Sequence, residues 1–280
     1  MTRIRLNVRV LHRAGSLKSV LATLTVVLAV NSAPVWAQQR APLITDRPDQ
    51  TESSSVVPRG SVQAELGWTF SREEELAVTT TTLSLPEVLV RIGLNGEVEA
   101  RLGFSGWQSV EPGGGLPSVS GIGDITVGLK YAIYSQAAGN VRASIIAFTS
   151  LPTGNSDFGS DRVDPEIRLT VDGEVSERVS LGANLGVAVT TETVAGNSNS
   201  RADAIYTVVT GVSVSERVGA FFEFFGALAG EGGSDIHSFD TGLTFALSPT
   251  MQLDLSVGFG LNAAADDYFI GAGFSIRRPR

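Results

Sequence analysis

The sequence predicts an all-β fold, a transmembrane antiparallel up-and-down β-barrel of about twelve strands. Three observations lead to this prediction. Apolar and polar residues alternate over stretches of about nine residues or more, which is longer than most strands of soluble proteins. The connections alternate between short turns and longer polar loops. The mean hydropathy is +0.15, yet no apolar run after residue 30 could form a transmembrane helix, and only helices and closed barrels satisfy their backbone groups in lipid.

Residues 1–37 are predicted to be a cleaved signal peptide. Five basic residues precede an apolar stretch at 20–30 that is too short to span a bilayer, and small residues before Gln38 suit signal peptidase. A retained amphipathic helix is the alternative. Cleavage removes five of the 21 basic residues and none of the 29 acidic ones, which leaves a net charge of −13. No nucleic-acid partner is expected, because binding to phosphate requires a basic face.

The segment 38–60 is interpreted as an N-terminal periplasmic extension or plug, because it contains three prolines and mixed charges without a period. The barrel is predicted over 61–276, followed by a tail at 277–280. Pro86 and a shift of the apolar phase around it indicate a bulge in the second strand. The predicted strands are 61–71, 81–92, 97–106, 122–134, 141–151, 165–174, 179–191, 202–213, 218–228, 237–247, 251–261 and 267–276.

The apolar phase of these strands contains almost no charge, which favours a lipid-facing barrel over a soluble β-sandwich. One face of each sheet in a sandwich meets water and admits charged residues, whereas Arg or Lys at the lipid-facing midplane of a barrel costs ~2–4 kcal/mol. Such a barrel is expected in the outer membrane of a Gram-negative bacterium. Its expected partners are outer-membrane lipid and lipopolysaccharide, the barrel-assembly machinery and a small-molecule solute; the oligomeric state stays open.

The opposite phase points into the barrel and carries the charge. These groups either pair with one another and fill the interior, or line a narrow acidic channel. Two inward phenylalanines could contact an apolar solute or simply pack. The residues predicted to line the channel are Glu65, Glu99, Arg101, Asp124, Lys130, Arg142, Glu166, Arg168, Phe221, Glu223, Phe225, Asp240 and Asp254.

A further hypothesis concerns the polar segment that joins directly to the first strand. Asp46, Arg47, Asp49 and Glu52 would enter the barrel from the periplasm and pair with charges of the lumen as a plug. Deleting 38–55 and measuring conductance tests this hypothesis.

An enzyme is not expected. His237 is the one histidine left after cleavage, and its neighbour Ser238 points to the opposite face of the same strand, so the two are badly placed as a catalytic pair. No cofactor motif and no Cys/His zinc cluster occurs, so neither a cofactor nor a metal is expected. Asp157, Asp161 and Asp164 could bind Ca²⁺, although their spacing favours a solvated loop.

Residues 44–53, with the sequence ITDRPDQTES, resemble the opening motif of a family of outer-membrane transporters named after the MetA pathway of phenol degradation. Further matches lie at 121–131, 151–154, 222–224 and 252–260. The resemblance implies a barrel of this size that passes small compounds, aromatic or hydrophobic ones among them. The chain departs from common outer-membrane barrels at its end, where Phe274-Ser275-Ile276 precedes an Arg-rich tail in place of a terminal phenylalanine.

The sequence therefore predicts a channel or transporter for passive uptake or efflux of small solutes through a charged lumen. The alternative is a structural or adhesive outer-membrane barrel with a closed, salt-bridged interior.

Overall fold

The computed structural model describes residues 42–75, 77–135, 141–194 and 197–279, and the predicted signal peptide lies outside these residues. The described chain is all β, and no helix within it is long and apolar enough to cross a membrane. The strand segments are β1 (Val62–Glu75), β2 (Val78–Gly93), β3 (Val98–Phe104), β4 (Trp107–Pro112), β5 (Val119–Ile122), β6 (Ile125–Ser135), β7 (Val141–Leu151), β8 (Asp164–Glu174), β9 (Val179–Val194), β10 (Asn197–Ser213), β11 (Val218–Leu228), β12 (Ile236–Ser248), β13 (Met251–Gly260) and β14 (Tyr268–Arg278).

The segments form one closed antiparallel barrel of twelve strands, as predicted. β1 pairs with both β2 and β14, which closes the sheet into a barrel, and β5 pairs only with β4. Two of the twelve strands are interrupted: β3 and β4 both pair with β2, while β6 pairs with β3 and β5 pairs with β4. The break after β3 lies at Gly106, which has φ +86° and approaches the Pro86 carbonyl so closely that a Cβ atom would lie 2.7 Å from it. The predicted bulge is present, because the β1–β2 register shifts between Gly67 and Thr69, opposite Pro86.

The distribution of apolar and polar side chains is the reverse of that in a soluble domain. Among the described residues, 22 polar or charged residues are buried, compared with five apolar ones. Large apolar side chains cover the outside instead; Leu185, for example, is 64% exposed. An apolar outer surface of this kind is expected to face lipid, because exposing so many large apolar side chains to water would be unfavourable.

The two ends of the barrel differ only in part as the loop pattern predicted, because the pairs β1–β2 and β9–β10 are closely connected at the long-loop end as well. Short turns join β8 to β9, β10 to β11 and β12 to β13 at one end, and the longer connections β7–β8 and β13–β14 lie at the other. In outer-membrane barrels the short turns face the periplasm. The last strand runs two residues beyond its predicted end, because the buried Arg277 side chain points inward and Nη1 donates to the Pro42 carbonyl at 3.1 Å.

The segment 42–60 lies inside the barrel and is called the N-terminal segment from here on. It starts at the short-turn end beside Arg277, reaches mid-height and returns to the same end, where Gly60 N donates to Gly93 O at 2.8 Å. The apex at 47–51 contacts Glu223, the sixth of the 11 residues of β11. The segment therefore crosses the middle of the lumen with both of its ends at one opening.

Candidate functional site: the lumen and the N-terminal segment

The cationic wall of the lumen consists of three buried bases, Arg91 on β2, Arg101 on β3 and Lys130 on β6. The Asp46 carboxylate of the N-terminal segment lies among them. Its Oδ2 atom is 3.1 Å from Arg91 Nη1, 2.7 Å from Arg101 Nη1 and 3.1 Å from Lys130 Nζ. Glu99 completes the cluster, 2.8 Å from Arg91 Nε and 3.0 Å from Arg101 Nη1. Because a buried charge is costly when unpaired, Asp46 and the three bases hold one another in place.

Two carboxylates of the barrel wall hold the backbone of the N-terminal segment. Glu65 on β1 accepts hydrogen bonds from the main-chain N–H groups of Asp46 and Arg47, at 2.9 and 3.1 Å. Glu99 accepts a bond from Val57 N at 2.8 Å. Hydrogen bonds to a charged acceptor are stronger than neutral ones, so these contacts fix the height of the segment in the lumen.

The returning half of the segment is held by β7, β8 and β9, which follow β6 in the strand order. Asp172 on β8 accepts a bond from Ser54 N at 2.7 Å, and the Ser144 hydroxyl on β7 donates to Ser54 O. The Asn184 amide on β9, oriented to satisfy both of its groups, accepts from Glu52 N at 2.7 Å and donates to Glu52 O at 3.1 Å. The segment thus bonds to strands on several sides of the barrel.

The acidic wall consists of Glu223 on β11, Asp240 on β12 and Asp254 on β13. All three are buried. Glu223 accepts from the apex of the segment, from Gln50 N at 2.7 Å and from the Thr51 hydroxyl. No donor among the described residues reaches either carboxyl oxygen of Asp240 or Asp254. Charge on this wall is therefore far less compensated than charge on the cationic wall.

Cavities lie on both sides of the segment. On the long-loop side, cavities of about 500, 460 and 230 Å³ all border Gln50, and together they are called the vestibule. Phe225 and Phe269 face each other there with ring centroids 6.2 Å apart. Arg168 Cζ lies 5.9 Å from the centroid of the Phe148 ring. On the short-turn side a cavity of about 330 Å³ borders the segment. The segment borders both spaces, and Asp49 lines a cavity on each side.

Comparison with known proteins identifies the family of this chain. The family model described as "Putative MetA-pathway of phenol degradation" matches residues 45–277. The chain belongs to this family. The match begins inside the N-terminal segment, so the family includes that segment as well as the barrel. No curated protein matches the sequence.

Two solved structures resemble the barrel. The NanC porin is 10% identical with a TM-score of 0.51, over 77% of this chain and 98% of the porin. The β domain of the Bordetella autotransporter BrkA is 11% identical with a TM-score of 0.50, over 78% of this chain and 99% of that domain. One is a porin and the other is part of an autotransporter, so the likeness establishes the fold and not the function.

The remaining residues predicted from the sequence are distributed over the length of the lumen. Arg142 pairs with Asp172 near the short-turn end, at 2.6 Å, and Arg168 Nε donates to Glu166 near the vestibule, at 2.7 Å. The Phe221 ring covers Gly242, where an added Cβ atom would lie 2.5 Å from the ring. Their role as channel lining stays a prediction.

Asp124 differs from the other predicted residues, because it holds a loop. It lies in the interruption between β5 and β6, and its carboxylate accepts bonds from the main-chain N–H groups of Thr153, Gly154 and Ser160. Alternation placed Asp124 in the inward phase, but the break in the strand turns it toward the 152–163 connection.

Arg91 and Asp172 contact the N-terminal segment and were not predicted from the sequence. Both lie in the inward phase of their strands, which was the signal for each of them. The inward position of Arg91 was harder to recognise, because the apolar phase of its strand shifts around Pro86. His237, the histidine considered for catalysis, bonds through Nδ1 to the Tyr206 hydroxyl at 2.8 Å, while Ser238 is buried in the inward phase.

Two aspartates of the N-terminal segment have opposite electrostatic surroundings. Burial raises the pKa of Asp46, but Arg91, Lys130 and Arg101 outweigh this effect and hold its pKa well below the usual value. Burial and the neighbouring Glu223 carboxylate raise the pKa of Asp49 well above the usual value. The segment therefore carries one aspartate stabilised as an anion and one stabilised as a neutral acid.

Proposed function

We propose that the protein is a passive outer-membrane channel for small solutes and that the N-terminal segment is its plug. The observation that carries the proposal is the position of the segment. It bonds to both walls at mid-height and lies between the vestibule and the cavity of about 330 Å³ on the short-turn side. Where the segment is bound, its side chains and backbone occupy the lumen.

The plug can leave without unfolding the barrel. The strands are joined to one another by a closed backbone ladder to which the segment does not contribute. Both described ends of the segment, at Pro42 and Gly60, lie at the short-turn opening. Movement toward the periplasm therefore requires no threading of chain through the pore.

The vestibule supports small aromatic or hydrophobic compounds as solutes. Its cavities fall within the size range of small-molecule sites, or just below it. Phe148, Phe225 and Phe269 supply ring faces, and Arg168 supplies a cation beside them. The family is described by phenol degradation, which agrees with this class of solute.

Deletion of residues 38–55 tests the channel and the plug together. In planar bilayers we expect the deletion variant to show a large, steady conductance and the full chain to show a small or intermittent one. Liposome swelling with phenol and with a sugar then compares solutes. The Phe225→Ala substitution in the deletion background should slow phenol-driven swelling more than sugar-driven swelling, because it removes one ring of the facing pair.

The second candidate is a structural or adhesive barrel, which the dense ion pairing of the cationic wall favours. Circular dichroism establishes that the deletion variant is folded. A folded deletion variant without conductance and without solute-dependent swelling would support the structural role and contradict the channel.

A further inference from the structure

The acidic wall and the apex of the N-terminal segment bring three carboxyl groups together without a cation. Glu223 and Asp240 are paired across β11 and β12, and their carboxyl groups lie within hydrogen-bond reach of each other. Asp49 of the segment precedes Gln50, whose N–H donates to Glu223, and the Asp49 carboxyl group interacts electrostatically with the Glu223 carboxylate. Among the described residues no Lys or Arg nitrogen lies within 4.0 Å of any of these three carboxylates.

The groups around this cluster do not supply the missing charge. β10 contributes the Thr207 hydroxyl, whose oxygen is 2.6 Å from Thr51 Oγ1. β13 contributes another acid, Asp254, whose nearest cation is Arg47 Nε at 3.9 Å. β1 contributes Glu65, which also faces Asp49 and is bonded to Arg91 on its other side. On the vestibule side Arg168 Nη1 reaches Gln50 O at 3.4 Å, but this arginine pairs with Glu166, as Arg47 pairs with Glu87. The other groups around the cluster are hydroxyls and further acids.

The hydrogen bonds indicate where a proton resides. Glu223 accepts two donors from the apex, so it is best satisfied as a carboxylate. Asp240 receives no donor on either oxygen and is fully buried, so a proton on Asp240 that is donated to Glu223 satisfies both groups. Two carboxyl groups at such a distance cannot both ionise without strong repulsion.

We propose that Asp240 and Glu223 share a proton that latches the plug, and that loss of this proton to water as the pH rises releases the N-terminal segment. The inference rests on the proposed channel function and adds its regulation. Ionised Asp240 repels Glu223 within the wall and Asp49 across the contact between the wall and the apex, and ionised Asp49 repels both wall acids. The repulsion that involves Asp49 acts on the segment. For each proton released, the ratio of open to plugged channels rises up to about tenfold per pH unit.

Single-channel recording from about pH 5 to about pH 10 tests the latch. The full chain should open increasingly as the pH rises, and the Asp240→Asn variant should lose most of this pH dependence and stay plugged. Asp203→Asn is the matched control. Asp203 is also a buried wall carboxylate, but it pairs with Arg201 at 3.0 Å and accepts a bond from Gly230 N, outside the N-terminal segment. This control should keep the pH response of the full chain.

A second measurement does not depend on conductance. The chain contains no cysteine, so Val57→Cys introduces a single thiol at a buried position of the segment. The rate of alkylation is measured at each pH in Val57→Cys and in Val57→Cys/Asp240→Asn. Because both variants carry the same thiol, the effect of its own ionisation on the rate cancels in the comparison. We expect faster alkylation at high pH only when Asp240 is present.

The outcomes separate the two proposals. A deletion variant that conducts, combined with a full chain whose opening and alkylation do not depend on pH, overturns the latch and leaves the channel intact. A deletion variant that never conducts contradicts the channel, and the alkylation experiment still decides whether the segment is released. A pH response as steep in the Asp240→Asn variant as in the full chain would also overturn the latch.

Discussion

The cationic wall and the acidic wall hold the same segment by different means. At the cationic wall, Asp46 is a charged partner for three bases at distances of 2.7–3.1 Å. At the acidic wall, Glu223 accepts only an N–H and a hydroxyl from the segment, and Asp240 and Asp254 receive no donor. The first wall therefore holds the N-terminal segment through compensated charge, while the second wall would gain uncompensated charge that repels the segment once the proton that we propose for Asp240 is lost.

Asp46→Asn is expected to have the largest effect, because it leaves three buried bases without their shared carboxylate. Breaking a buried ion pair from one side costs ~3–5 kcal/mol, which corresponds to more than a hundredfold increase in channel opening. The measurement is the open fraction in single-channel recordings. Asp157→Asn, at an exposed loop carboxylate, is the matched control and should behave like the full chain. Equal behaviour of both variants would refute the role of the cationic wall.

The pH dependence of plug binding should have two limbs, because the two aspartates of the segment are shifted in opposite directions. The pKa of Asp46 is held below its usual value, so its contribution is complete above that value and is lost as the pH falls through the lower pKa. The pKa of Asp49 is raised, so its contribution is complete below the usual value and is lost as the pH rises through the raised pKa.

Plug occupancy is therefore highest in mildly acidic solution and falls on either side. The Asp49→Asn variant should weaken the alkaline limb and leave the acid limb in place, as measured by the open fraction across the pH range. An unchanged alkaline limb, or a displaced acid limb, would show that Asp49 does not act as described.

Asp254→Asn should have a small effect of the opposite sign to Asp46→Asn. Asp254 is buried, neither oxygen has a donor, and its nearest cation is 3.9 Å away, so removal of the charge relieves a desolvation cost. We expect slightly longer closed times and unfolding in urea at an equal or higher concentration. A loss of plug binding as large as that of Asp46→Asn would remove the distinction between the walls.

The smallest expected effect is on ion selectivity after deletion of 38–55. The acidic wall then presents three acids, whereas the cationic wall presents three bases beside Glu65 and Glu99. The lumen is left with a negative bias, and cations should be preferred over anions by a few-fold, about the scale of modest electrostatic steering. Reversal potentials in a salt gradient measure this preference. Preference for anions would mean that other lumen charges dominate.

The fold could be predicted from the sequence because period-2 alternation is a local property. A lipid-facing residue must be apolar at every second position, and this requirement identifies strands such as 251–261 without knowledge of their neighbours. The same alternation places Glu65, Glu99, Glu223 and Asp240 in the lumen, since each lies between two outward positions.

The contacts of the N-terminal segment could not be predicted, because they join residues that are distant in the chain. The candidate partners on the wall all point inward and differ only in their height along the barrel axis. Asp46 and Glu52 could have paired with any inward base. Both pair with Arg101 because of the path that the segment takes through the lumen, and the alternation of apolar and polar residues does not predict this path. Asp124 shows the opposite limit. The alternation placed Asp124 in the inward phase, but Asp124 lies in a break of the strand, and its carboxylate accepts hydrogen bonds from a loop.

A reversible covalent lock tests the central claim most directly. Thr51 of the segment and Thr207 on β10 have hydroxyl oxygens 2.6 Å apart, so cysteines at both positions place their sulfur atoms near the ~2 Å bonding distance of a disulfide. For the Thr51→Cys/Thr207→Cys variant we expect a channel that stays closed at every pH while oxidised and that opens when a reductant is added. Equal conductance of the oxidised and reduced forms would contradict the claim that the N-terminal segment closes the lumen.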